Sequence, residues 1–422
     1  MQRTIRLQLS TTPEQSVILS NTVKEFTNAF NFVCEFGWKN SEKNGIKLHH
    51  ATYYTVKEMC KGLVSDLIVQ ARTKATEAVK SVLALVKKYP DKVRAWEEKI
   101  SNAIAKGKVY KGKKPNPPAC PKSRNCPARY NLHTFKMSWD KMEVNLATSP
   151  GNRLHIGFVV PEYASKYIGN PVDTADLIYR KGKFWLHVVV TVPEPDYFDN
   201  QAVVGVDLGL NRPAVTSSRK FLGKRRWKGV DRKYFRLKKA LQSKGTKSAK
   251  HHLKKLSGKV QRFRKDCDHV LSKRIVQSCT SGTTIVIENL TEIRSRARLR
   301  KGEGQRRLHS WTFAQFRSFV EYKSQEAGMR VVAIDPRHTS QTCSKCGFQS
   351  RSNRKTQSLF LCKKCKYSLN ADLNASYNIR DRGASPQGDK HLASFGISLA
   401  GGPQSMGLSH PTPVEMQAVS FS

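Results

Sequence analysis

Acidic residues are scarce in this 422-residue chain: 32 Asp and Glu stand against 75 Lys and Arg, a formal net charge of +43. A chain this basic repels itself unless a polyanion usually covers it, and nucleic acid is the commonest large polyanion. Acidic small molecules alone would not call for charge on that scale. Long apolar runs are also missing. No stretch of about 18 apolar residues occurs, which excludes a helical membrane span. The opening Met1–Arg6 lacks the apolar core of a secretory signal. Ten cysteines without such a signal are expected to be reduced thiols or metal ligands, not a disulfide framework. The expected location is intracellular, with nucleic acid as partner. What remains, 38% hydrophobic and 9% aromatic residues, suffices for packed cores, and the length allows two to four domains.

Periodicity divides the chain. Ile5, Leu7 and Leu9 alternate with Thr4, Arg6 and Gln8, which predicts a short strand. Thr12-Pro13-Glu14-Gln15 predicts a capped helix start, followed by Leu19, Val23, Phe26, Phe30 and Val33 at helical spacing. A second stripe joins Leu67, Ala71, Ala75, Ala78, Val82 and Leu85. Gly107–Arg129, rich in proline and basic residues, reads as an irregular crossing. Asp176–Tyr179 and Phe184–Val192 flank Arg180-Lys181-Gly182-Lys183, a hairpin within a small β domain that the first strand is expected to join. Beyond it, strands at Val203–Asp207, Thr283–Ile287 and Met329–Ile334 alternate with helical segments, the pattern of an α/β sheet domain. Between Arg219 and Lys265, twenty Lys or Arg stand against one acid, Asp231. Like charges four apart destabilise a free helix, so this run is expected to contact nucleic acid. Pro386–Ser422 has the composition of a disordered tail.

Cys343-Ser-Lys-Cys346 and Cys362-Lys-Lys-Cys365 are two knuckles fifteen residues apart, the spacing of a four-thiolate zinc ribbon. Four thiolates leave no open position, so the site is structural. Gly347 suits the sharp turn after the first knuckle. Cys120, Cys126, Cys34, Cys60, Cys267 and Cys279 read as ordinary thiols, the last four on helix faces. Three acids draw notice because acids are few. Asp207 and Glu288 each end an apolar strand, and Asp372 follows the ribbon in Asn370–Ala375. Acids at the ends of adjacent strands converge on one sheet edge, where two Mg²⁺ ions could be held for phosphodiester hydrolysis. Gly209, just after Asp207, would let a phosphate approach the backbone. Spacing alone leaves solvated strand ends as the alternative. Trp311, Phe313 and Phe316 read as core more readily than as base-stacking residues, as do Trp38, Tyr53 and Tyr54. His269 reads as packed or solvated.

Val204-Gly205-Val206-Asp207-Leu208-Gly209, Ile287-Glu288-Asn289-Leu290, and Asp372-Leu373-Asn374-Ala375-Ser376-Tyr377-Asn378-Ile379 resemble the signature segments of the TnpB (OrfB) family. Asp335–Gly347, running into the ribbon, does so too. This transposon-encoded family is similar to the compact type V CRISPR effectors. The resemblance is specific from about Val203 to Arg380; Ser376 departs from it where the family often has alanine.

It implies a multidomain α/β protein with a RuvC-like (RNase H-type) nuclease domain and an inserted zinc ribbon, plus a helical recognition lobe and a small β-barrel wedge. The implied boundaries are a first wedge strand at 1–10, recognition domain 11–106, wedge 107–198 and nuclease 199–340 with the basic insertion. The ribbon follows at 341–368, the last nuclease segment at 369–383 and a tail at 384–422. Asp207, Glu288 and Asp372 would be the catalytic, Mg²⁺-binding triad. Cys343, Cys346, Cys362 and Cys365 would bind Zn²⁺. Arg225, Arg226, Arg232, Lys233, Arg236, Lys254, Arg262, Arg264, Arg351 and Arg354 are the expected nucleic-acid contacts. The implied partners are a guide RNA, with one monomer per guide, and a double-stranded DNA target cut in both strands. Rival readings are an RNA-guided repressor without cleavage, a strand-transfer transposase, and a zinc-ribbon RNA-binding protein that leaves the acids idle.

Overall fold

The computed structural model describes residues 1–384 except 111, 197–198, 225, 292 and 294–301; Arg225 and nearly all of the expected tail lie outside the described residues. The chain divides into two compact units, one spanning Met1–Pro193 and one beginning at Glu194.

In the first unit the chain runs β1 (Gln2–Ser10), α1 (Pro13–Lys39), α2 (Gly45–Met59), α3 (Ser65–Lys87) and α4 (Tyr89–Ile104). Six strands follow: β2 (Ala128–Tyr130), β3 (Phe135–Ser138), β4 (Glu143–Ala147), β5 (Arg153–Val159), β6 (Val172–Arg180) and β7 (Lys183–Thr191). The alternation of β1 sends Ile5, Leu7 and Leu9 into the core. With one face so committed, β1 enters the middle of a seven-stranded sheet, antiparallel to both β5 and β7. The sheet order is β2-β6-β7-β1-β5-β4-β3, and among the described residues β2 and β3 remain as edges, an open sheet where a small barrel was expected. Lys181 and Gly182 both take positive φ, the geometry of a two-residue hairpin whose twist matches its strands.

The α1 cap forms as expected: the Thr12 hydroxyl accepts from Gln15 N (3.2 Å) and the Gln15 side chain accepts from Thr12 N (3.1 Å). The irregular crossing is held by α1 side chains. Asn31 exchanges two 2.9 Å hydrogen bonds with the Ser123 backbone, and Thr27 Oγ1 accepts from Cys126 N at 2.9 Å. Two residues expected in the core lie outside it. Leu85 is exposed, because the α3 stripe leaves the core after Val79, and Tyr54 is 78% exposed. Cys60 caps α2 instead of lining its face.

The second unit is a five-stranded sheet wrapped by helices. It contains β8 (Val203–Asp207), β9 (Ala214–Thr216), β10 (Phe221–Leu222), β11 (Thr284–Glu288) and β12 (Arg330–Ile334), in the order β10-β9-β8-β11-β12. β8, β11 and β12 are mutually parallel, and parallel neighbours require crossovers. The first crossover is the basic hairpin α5 (Arg226–Lys244) and α6 (Lys247–Val276); the second contains α7 (Glu303–Ser310) and α8 (Phe313–Glu326). A small ribbon, β13 (Leu359–Leu361) with β14 (Ser368–Asn370), precedes the helix α9 (Ala371–Gly383). Phe316 is buried in the core, with Trp311 and Phe313 packed against it, as expected. His269 stacks on Phe319 at 3.9 Å, and burial lowers it to about 4, so it is a packed histidine. Cys279 lies just past α6, not on its face.

Candidate functional site

Two strand ends meet at one edge. β8 and β11 run parallel with Ile287 opposite Val206, so the next residues, Asp207 and Glu288, end their strands side by side. Asp372 arrives from the first turn of α9, where the Asn370 side chain accepts from the N–H groups of Asp372 and Leu373 at 3.2 Å each. What brings α9 close is Gly205. A Cβ there would fall inside contact distance of the Ser376 carbonyl oxygen and the Arg380 nitrogen, both backbone atoms of α9. Ser376 fits this packing, since it is fully buried and its hydroxyl donates to the Leu373 carbonyl at 2.8 Å.

The three carboxylates are half-buried, and burial raises the proton affinity of each. Burial, then the charges of Glu288 and Asp372, push Asp207 well above the usual carboxylate range. Burial also raises Glu288 to about 6, against the opposing pull of the Thr339 hydroxyl, Arg382 and Arg354. Asp372 is raised by burial and lowered in part by Arg354 and Arg212. Crowded carboxylates of this kind are relieved by protons or by cations, and an all-oxygen donor set suits Mg²⁺.

Sequence reasoning missed the residues that organise this edge. Thr339 donates to Glu288 Oε1 at 2.6 Å. The loop carrying Thr339 is pinned to α9: Asn378 Nδ2 donates to the carbonyls of Thr339 and Thr342 at 2.7 Å each, and Asn374 Nδ2 donates to Thr342 O at 2.8 Å. Asn374 and Asn378 stand four apart on one helix face, which is the available sequence signal. Arg354, one of the expected nucleic-acid contacts, lies 3.5 Å from Asp372. Gly209 also serves a tight turn, since a Cβ there would stand 2.8 Å from the Arg212 carbonyl oxygen.

The four ribbon cysteines form a second centre. Tetrahedral zinc with Zn–S near 2.3 Å places sulfurs about 3.8 Å apart. Cys343 and Cys365 Sγ are 3.7 Å apart, Cys346 and Cys362 Sγ are 3.6 Å apart, and all four lie within 4.8 Å of one another. Both knuckles turn identically. Gly347 N donates to Cys343 O at 2.9 Å and Lys366 N to Cys362 O at 3.1 Å, and both residues take positive φ. Burial pushes the Cys362 thiol up, but the N–H groups of Cys365 and Lys364 outweigh it and bring it to about 6, while burial raises the Cys343 thiol.

Of the expected nucleic-acid contacts, Arg226, Arg232, Lys233, Arg236, Lys254, Arg262 and Arg351 are exposed. Arg264 is not available in the same way. It donates to Asp231 at 2.7 Å, and Arg306 reaches the same carboxylate at 3.1 Å, so the lone acid of the basic run ties α5 to α6 and α7.

Comparison with known proteins adds independent findings. Residues 187–294 match the OrfB_IS605 family, described as a probable transposase, and residues 313–379 match the Cas12f1-like TNB domain. The chain is 30% identical over 243 residues to the CRISPR-associated endodeoxyribonuclease Cas12f1 of Sulfoacidibacillus thermotolerans, covering 53% of this chain and 55% of that one. It is 26% identical over 261 residues to a TnpB-like protein of Methanocaldococcus jannaschii, covering 58% and 91%. The chain thus spans about half the length of the Cas12f1 relative. In fold it resembles Cas12f1 in its complex with sgRNA and target DNA, with a TM-score of 0.58 at 18% identity over 89% of this chain and 84% of that one. The likeness to TnpB (OrfB) proteins and compact Cas12 effectors read from the motifs is borne out. None of the described helices is long and apolar enough to cross a membrane.

Proposed function

We propose that this chain is an RNA-guided DNA endonuclease whose second unit is a RuvC-like nuclease domain, with Asp207, Glu288 and Asp372 as its catalytic acids. The observation that carries the reading is the meeting of these three carboxylates at one sheet edge, each held above its ordinary proton affinity. Cas12f1 and TnpB-like relatives support it. In this reading, residues 11–106 form the recognition domain, 1–10 with 107–198 the wedge, and 341–368 a target-contacting ribbon closed by zinc on Cys343, Cys346, Cys362 and Cys365. The partners are a guide RNA and a double-stranded DNA target.

The three acids would hold the divalent cations, which when bound supply the Lewis acidity that activates water and stabilises a leaving 3′-oxygen, giving 5′-phosphate and 3′-hydroxyl ends. The chain's own part is positional and electrostatic. Thr339 fixes one oxygen of Glu288, which limits rotation of that carboxylate. Arg354 moderates the repulsion at Asp372 and offers a guanidinium to a phosphate. The exposed cations of α5 and α6 bind phosphates without reading bases, as recognition of an A-form guide–target duplex requires.

The test begins with RNA that co-purifies when the protein is expressed beside its native flanking DNA. One dominant species with a variable 3′ segment defines a target for cleavage in Mg²⁺. Asp207→Ala should abolish cutting and leave target binding intact. Unchanged activity in that variant would favour the repressor reading. Joined DNA ends formed without RNA would favour strand transfer, the reading suited to the probable-transposase match.

A further inference from the structure

The loop that leaves Asp207 also walls a cleft of about 600 Å³. Its lining starts at Leu208, the residue after the carboxylate, and continues through Pro213. That volume lies within the roughly 300–1,000 Å³ of small-ligand sites. The lining also includes three half-buried aromatic side chains, Trp227 from α5, Phe263 from α6 and Trp311 before α8, beside the ion-paired Asp231 and Arg264 and the buried Asp268. Cations stand around it. Arg212 is exposed and lies over the Phe221 ring at 4.7 Å, while Lys228 and Arg307 reach Asn211 Oδ1 at 3.4 and 3.0 Å.

We infer that this cleft takes one unstacked nucleobase of a single strand, next to the phosphate held at the three carboxylates. This deepens the nuclease reading and rests on it. Three features favour a base over another apolar occupant. Aromatic faces stack any nucleobase without regard to sequence. The surrounding Arg212, Lys228 and Arg307 match the phosphates on either side of such a base. The backbone distance is short, because the cleft wall begins one residue after Asp207. A base inside a duplex has both faces covered, so the occupant must come from an unwound strand.

The test uses the full chain, Ca²⁺ in place of Mg²⁺, and a single-stranded oligodeoxynucleotide carrying 4-thiothymidine at one position per probe. Irradiation followed by peptide mapping should place crosslinks on Trp227, Phe263 or Trp311. Trp227→Ala should weaken binding roughly tenfold, the loss of about one stacked base, and Trp227→Phe should restore most of it. Crosslinks confined to the exposed faces of α5, α6 or the ribbon, with Trp227→Ala binding like the unsubstituted chain, would overturn the cleft assignment and leave the nuclease reading standing. A strand that neither binds nor crosslinks would also overturn the cleft assignment, while the nuclease reading is decided by cleavage with the co-purified RNA. The crosslinks are read on the unsubstituted chain, so a variant that fails to fold does not decide the outcome.

Discussion

Glu288 carries the clearest residue-scale consequence. Its folded value near 6 stands above the ordinary 4.5. Without divalent cations the folded chain therefore binds protons that the unfolded chain releases. That contribution to stability is complete below about 4.5 and is lost as pH rises through about 6. Cation binding has the opposite sign, since a protonated carboxyl is a poor ligand. Divalent-cation affinity measured by calorimetry should fall steadily below about pH 6; a flat profile from 7 to 5 would remove Glu288 from the ligand set. Thr339 is a positioning residue here, because it touches Glu288 and not the substrate. Thr339→Val should weaken cation affinity by roughly 10-fold or more, as loss of a ligand-orienting partner typically does. Thr339→Ser, which keeps the hydroxyl, should recover most of it.

Among elements, the contact of α9 with β8 is the decisive one. Gly205 has backbone on its far side, so no side-chain rotation can make room for a methyl group. Gly205→Ala should cost about 3 kcal/mol in denaturant unfolding, the upper end of ordinary overpacking. It should also lower cation affinity, since α9 carries Asp372. The ribbon couples to the same edge through Arg354 on Asp372, and Ser344 N donates to Asn374 Oδ1 at 3.0 Å. One zinc per chain should be found by metal analysis. Cys343→Ser should lose it, together with the protection of nearby amides in hydrogen exchange. Full protection without metal would mean that the ribbon folds on packing alone.

The net charge of +43 governs behaviour at the scale of the whole molecule. Single-strand affinity should fall steeply with salt. Replacing Arg232, Lys233 and Arg236 by Ala should reduce the slope of log affinity against log salt by about 0.7 for each phosphate that is no longer neutralised. An unchanged slope would mark that face of α5 as merely solvated. The division at Pro193 coincides with the change of pattern in the sequence, where hairpin alternation gives way to buried parallel strands.

Much of this was legible locally. Alternation placed β1, the capping pair placed the start of α1, and the two knuckles announced the four-sulfur cluster, because each signal lies within a few residues. Asp207 and Glu288 were legible as acids that end apolar runs. Asp372 drew notice only as a scarce acid after the ribbon, and its assignment to the same site came from the family resemblance. Where the sequence reading failed, the cause was distance along the chain. The partner of Glu288 lies 51 residues away, and Arg264 pairs with Asp231 across 33. Periodicity does not encode such meetings, and neither does it decide whether a sheet closes, which here depended on the edges β2 and β3. The sequence by itself determined most of the elements, the charge and the four-cysteine spacing. Tertiary structure alone decided which side chains meet at the carboxylate edge, because long-range proximity is set by how whole elements pack.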